Sequence, residues 1–333
     1  DADAARNNSD ALEVLAASRF VAAAWEDPAG GPAGRRGRAG GTPITVLRLS
    51  RHSTLLGPYV LDRATAAELG LPSGAAQAWL VQTPVERGEA PWPAAGDRDG
   101  LGRAFPAGLP DREEGRVVQW LVAVARRLGG AVRTVESAET APTVLVPDPA
   151  AAVDLTVWSD IWLEPEAALA VVRQAVPRAR LDVGRPWAGP PPGTGTVPVV
   201  GAEDLDPRER AALHESAEQR DVEALADPEP QSTYGVLADL GLDGMVAVQV
   251  SGETDLPQAL AGVPWARDGA VAYRVTWEPE DLVELEAEHP SITHRVARGR
   301  AAPLVDAVAR SLHAAVAGEI TDAMGFIVDP ADL

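Results

Sequence analysis

The segment from Asp111 to Gly129 marks both of its own ends, and it constrains the fold more than any other stretch of the chain. Asp111 followed three residues later by Glu114 is a capping-box pattern, and Gly129 with Gly130 supplies a left-handed stop. Between those ends Val117, Leu121, Val124 and Leu128 recur at three- and four-residue spacing, which lays one apolar stripe along a helix. Such a stripe must be covered, and the flanking sequence offers strands to do it.

Ala76–Thr83 reads as a strand before that helix, and 131–136 and 153–160 read as strands after it. Pro165 then stands at the first position of a second helix carrying Leu169, Val172 and Val176, which Pro177 stops; 179–183 alternates once more. The order strand, helix, strand, strand, helix, strand over 76–184 is that of a ferredoxin-like (βαββαβ) unit, with helices on one face of an antiparallel sheet. Val144-Leu-Val146 is a competing strand with no place in that order.

Alternation along a strand assigns faces. In Val153–Trp158, residues 153, 155 and 157 are expected to meet the helices while Asp154, Thr156 and Trp158 point away. In 76–83, Ala78 and Leu80 are expected inward, with Gln77, Trp79 and Val81 outward. The first and third strands of such a sheet are neighbours, so Trp79, Asp154 and Trp158 mark one interface face. The rest of this chain is the expected cover; a second copy of the protein, or a ligand or nucleic acid stacking on the rings, are the alternatives.

A length of 333 residues suggests two domains at roughly 150 residues each. The expected division is an N-terminal α+β domain over 1–184, a Pro/Gly-rich linker over 185–205 containing Pro190-Pro-Pro-Gly, and a C-terminal α+β domain over 206–333. Asp206-Pro-Arg-Glu209 opens a helix in the second domain. Strands follow at 245–251 and 270–277 with a short helix near 257–261 between them, then helices near 280–288 and 303–317 and an extended 325–328. That pattern suits a second, related unit. At the start of the chain a helix is expected over 10–25 and a strand over 44–49.

Absent residues exclude whole chemistries. The chain has no Lys, which removes Schiff-base, Walker-type and kinase-type lysines, and no Cys, which removes thiol nucleophiles, disulfides and thiolate metal centres. A net charge of −20 disfavours nonspecific attraction to nucleic acid or anionic membrane. No run approaches the 18 apolar residues of a membrane span. The expectation is a soluble, acidic protein with no cofactor, no metal, no nucleic-acid partner and a cytoplasmic location. A start at Asp1 leaves room for a removed signal peptide.

The polar candidates are few. Arg35, Arg36 and Arg38 sit in a Gly-rich loop, and His52 stands beside Ser53 and Thr54. Asp97-Arg-Asp99-Gly100 echoes the opening of a calcium loop but has Leu101 where a further oxygen is needed. That sequence lies inside 86–110, a long Gly/Pro-rich loop of the kind that often carries function. His214 and Glu218 lie one helical turn apart. The densest polar chemistry is Glu288–Arg300, read as a loop between helices, whose His289, His294, Arg295 and Arg298 suit anion binding. The leading reading is a binding or protein-interaction module. The alternative is an enzyme acting on a small anion, with His289 or His294 carrying a proton and Arg295 or Arg298 holding the charge; a metal-dependent hydrolase ranks third.

Overall fold

The computed structural model of the chain describes residues 2–26, 45–92, 96–135, 141–182, 206–226 and 233–333. The arginines at 35, 36 and 38 and the linker over 185–205 lie outside the described residues. In chain order the first elements are α1 (Ala2–Ala17), β1 (Ala24–Trp25), β2 (Thr45–Arg48), β3 (Thr54–Val60), α2 (Arg63–Glu68) and β4 (Gln77–Gln82). The four strands form one antiparallel sheet in the order β1-β2-β3-β4. A long excursion that contains α3 (Leu101–Ala104) leads to α4 (Arg112–Leu128), then a ribbon of β5 (Val132–Arg133) with β6 (Val144–Leu145).

The helix with marked ends is α4. Asp111 caps it by accepting the Arg112 amide at 2.8 Å, and Gly129 takes the left-handed conformation at φ 64. The capping-box acid is recruited elsewhere: the Glu114 carboxylate accepts the Glu86 amide at 2.7 Å, while the Glu86 carboxylate accepts the Glu113 amide at 2.9 Å. Val117 and Val124 of the expected stripe are buried, but Leu128 is exposed and Trp120 takes the central place. Trp120 packs edge-on against Phe20 and donates its Nε1–H to the Leu15 carbonyl at 2.9 Å. Together with Leu12, Leu47, Leu55 and Phe326 it forms the smaller core.

The remaining elements are β7 (Leu155–Ser159), α5 (Pro165–Ala175), β8 (Arg180–Asp182), α6 (Pro207–Ala226), β9 (Thr233–Asp239), β10 (Met245–Glu253), β11 (Ala270–Glu278), α7 (Ile292–Val316), β12 (Glu319–Asp322) and β13 (Ile327–Val328). Their seven strands make one sheet, β13-β12-β7-β11-β10-β9-β8, with every neighbouring pair antiparallel. Helices α5 and α7 cover one face and supply the larger core, with Val172, Val305 and Leu312 packed against Val157, Val248 and Tyr273. The class is therefore α+β.

The ferredoxin-like unit over 76–184 is not formed. Its expected strands are shared among three sheets: β4 in the four-stranded sheet, β5 in the ribbon, and β7 and β8 in the seven-stranded sheet with β11, β10 and β9 between them. Val144-Leu-Val146, which had no place, contributes the partner of β5. Hydrophobic alternation makes a strand but does not choose its neighbour; β7 obtains two partners, β11 and β12, from more than a hundred residues downstream. The seven-stranded sheet likewise joins residues on both sides of 185–205, since β7 and β8 precede it and β9–β12 follow.

Two further expectations change. The faces of β4 are reversed: Trp79 and Val81 pack on the smaller core while Leu80 is exposed. The Trp79 ring presses on Gly57, where a Cβ would come within 2.4 Å of it. Trp158 stands on the sheet face away from α5 and α7, covered by the β10–β11 connection through Leu260 and Ala266. Its Nε1–H reaches Thr321 at 2.9 Å. Trp79 and Trp158 thus lie in different sheets. The expected loop 288–300 is largely helical, because Ser291 caps α7 and the helix runs through Pro303. Burial of Ala301 and Val305 on either side of Pro303 outweighs its missing hydrogen bond.

Candidate functional site

The excursion from Glu86 to Pro110 is the structural centre of the site. At its base Gly88 donates to the Leu109 carbonyl at 2.8 Å, Leu109 to Glu89 at 2.9 Å and Asp111 to Glu86 at 2.9 Å, a short antiparallel ladder. The Arg87–Glu114 ion pair reinforces it, with the Arg87 guanidinium 4.6 Å from the centre of the Phe105 ring. At its far end the Asp97 carboxylate accepts the amides of Gly102 and Arg103, and Asp97 donates its own amide to the Glu286 carbonyl at 2.8 Å. Arg103 binds Glu288 at 2.6 Å. The loop is thus a strap tied at one end to α4 and at the other to the segment preceding α7.

The two carboxylates of the calcium-like sequence have other partners. Asp97 is engaged in capping α3 and Asp99 pairs with Arg126, so the two carboxylates face different partners. Among the described residues no group of three potential ligands stands together.

Under the strap, one turn apart on the inner face of α7, lie His294 and Arg298, each 6% exposed. Arg298 binds Asp148 at 2.5 Å, and the His294 ring packs against Trp277 with ring centres 5.0 Å apart. Burial lowers the His294 pKa from its ordinary value, and the Arg298 charge adds to this against the opposing Glu284 and Asp281. Arg98, Asp99, Glu284 and Glu288 close the space around them to about 20 Å³, the room of one water molecule. Asp154 accepts the Trp277 amide at 2.9 Å; burial raises its carboxyl pKa, while that hydrogen bond and the Arg98 charge act against the rise. His289 and Arg295 are exposed and do not join this cluster. The i, i+4 spacing of His294 and Arg298 was the signal that separates them from the other two.

On the other side of the strap is an open groove of about 450 Å³. Pro91, Leu101, Leu109, Pro110 and Val118 form its apolar walls, and Trp92 stands beside them 74% exposed. Asp97, Gln119 and Glu286 add polar groups. No sequence motif singled out Trp92. Its position between prolines inside the long loop was the available signal, since a large ring in such a segment has no strand or helix face to be buried by.

A wider cleft, about 710 Å³, opens at the start of α4 between Ser50, Arg51, His52, Arg112 and Arg116. Its floor is Glu113, which accepts from Ser50, from Ser53 at 2.6 Å and from Arg116. Burial pushes the Glu113 carboxyl up, but those hydrogen bonds and the Arg116 charge prevail and hold its pKa at about 2. A carboxylate so stabilised is a poor base, so the Ser50 and Ser53 hydroxyls are not activated as nucleophiles by it. The helix amides in this cleft are taken by Asp111 and Glu86. His214 is exposed on α6, and the Glu218 side chain lies outside the described residues.

No helix among the described residues is long and apolar enough to cross a membrane. No family model, curated protein or solved structure matches this chain.

Proposed function

We propose that the chain is a protein-interaction module that receives a short extended segment of a partner in the groove beside the strap. The observation that carries this reading is Trp92. An indole 74% exposed over a groove of about 450 Å³ leaves a large apolar surface in water, and peptide-binding sites are built around such aromatic anchors. The described ends of the strap are fastened to α4 and to the segment before α7, which lowers the ordering cost that opposes binding. Its prolines and aliphatic side chains suit an extended, proline-tolerant segment.

The rival reading, an enzyme using His294 and Arg298, meets a closed space of about 20 Å³ and an arginine already bound to Asp148. A substrate would have to displace that pair and open the strap. The groove requires neither.

Selection of linear peptides from a displayed random library against the whole protein tests the proposal. The expected enriched sequences bind the native protein and lose most of their affinity to Trp92→Ala. Enriched peptides that bind Trp92→Ala equally well would place the interaction elsewhere and refute the groove.

A further inference from the structure

We infer that the segment held in the groove carries an arginine, seated over the Trp92 ring with its charge turned toward Glu286. The inference rests on the interaction reading above and assigns its ligand chemistry.

The charges around the groove are not equally available. Asp99 is bound to Arg126, and Asp97 caps α3 with Arg103 nearby, itself bound to Glu288. Arg98 lines the groove as well and has no hydrogen-bond or ion-pair partner among the described residues, but its Nε is buried and it also faces the inner cavity, where its charge acts on Asp154. Glu286 is the uncommitted charge that is exposed. Its backbone carbonyl is engaged by Asp97, but among the described residues its carboxylate has no hydrogen-bond or ion-pair partner, and it is exposed at the groove.

The groove therefore offers an incoming side chain two complementary features, an open indole face and an uncommitted carboxylate, next to an apolar wall. A guanidinium satisfies both, since it stacks flat on an indole and donates in a fork to a carboxylate, while its methylene stem covers apolar surface. An ammonium matches the indole face less well because it is compact and more strongly hydrated. A carboxylate in the ligand would meet Glu286 and the field of a chain with net charge −20. Charge complementarity thus selects a cationic segment, and planarity selects arginine within it.

A matched pair of peptides tests this with the full chain: acetyl-Pro-Leu-Arg-Pro-amide and its citrulline counterpart, which keeps the shape and removes the charge. Tryptophan fluorescence and isothermal titration at low and high ionic strength read the affinity. The arginine peptide is expected to bind about fivefold tighter or more, with the advantage shrinking in salt. Trp92→Ala and Glu286→Gln should each reduce that advantage to about twofold or less, and Trp92→Phe should retain part of it. Both positions are exposed, so these variants are expected to keep the fold, which circular dichroism checks. Equal binding of the citrulline peptide, or a charge preference that survives both variants, overturns the inference. Neutral peptides that emerge from the library selection with full dependence on Trp92 overturn it too, and leave the interaction reading standing.

Discussion

Replacing Glu113 by glutamine removes one charge where the turn between β2 and β3 meets the start of α4. The carboxylate there gathers the Ser50 and Ser53 hydroxyls and the Arg116 guanidinium, and Ser53 is fully buried with a further contact to Thr83 at 3.0 Å. Folding moves the carboxyl from 4.5 to about 2, a depression of about 2.5 units; at 1.36 kcal/mol per unit this sets a ceiling of about 3 kcal/mol. Arg116 is 58% exposed, so solvent screens its share, and the expected loss is about 2 kcal/mol at neutral pH. Because the pKa is depressed in the folded state, the contribution is fully present above 4.5. It is lost as the pH falls from 4.5 toward 2. Urea unfolding of the native and Glu113→Gln proteins, followed by circular dichroism at a series of pH values, measures the difference directly. The gap in stability should be constant near neutrality and close progressively in acid. A gap of the same size from neutral pH down to about pH 3 would show that the loss comes from packing, and the argument from charge would be wrong.

Two further outcomes follow from the contacts that join the parts of the chain. Arg298→Ala is expected to cost about 2–3 kcal/mol in urea unfolding, because it removes both a buried stem and the partner of Asp148, whereas Arg298→Met keeps the stem and should lose roughly half as much; equal losses would make the ion pair the sole cause. A protease site engineered into 185–205 should yield two fragments that still co-elute after cleavage, since β7 is hydrogen-bonded to β11 and β12 and β8 to β9 across the cut; fragments that separate without denaturant would contradict the shared sheet.

Much of the local structure was legible in the sequence. Asp111 and Gly129 bracket α4 as expected, Pro165 opens α5, and alternation turns Trp158 away from the helices that Leu155 and Val157 face. The segment holding His294 and Arg298 was read as a loop because Pro303 looked like a starting point and is instead interior to α7, so their shared helix face was missed. The reversed faces of β4 show the limit of alternation: Ala78 and Leu80 are as apolar a pair as Trp79 and Val81, and the choice between them was made by the core they meet.

Partners at long range were decided only by the tertiary structure. Caps and periodicity act between residues three or four positions apart, so they are written in the local sequence. The contacts that build the candidate site join Ser53 to Glu113, Arg298 to Asp148 and Arg103 to Glu288, at separations of 60, 150 and 185 residues. Any acid in this chain is a possible partner for any arginine until the backbone brings one pair together. The same holds for strands, whose alternation says which side is apolar and nothing about which neighbour completes the hydrogen-bond ladder. The chain therefore declared α4, α5, several of its strands and its excluded chemistries by itself, whereas the full length of α7, the seven-stranded sheet, the closed pocket beneath the strap and the open groove beside it arise from packing between segments distant in sequence.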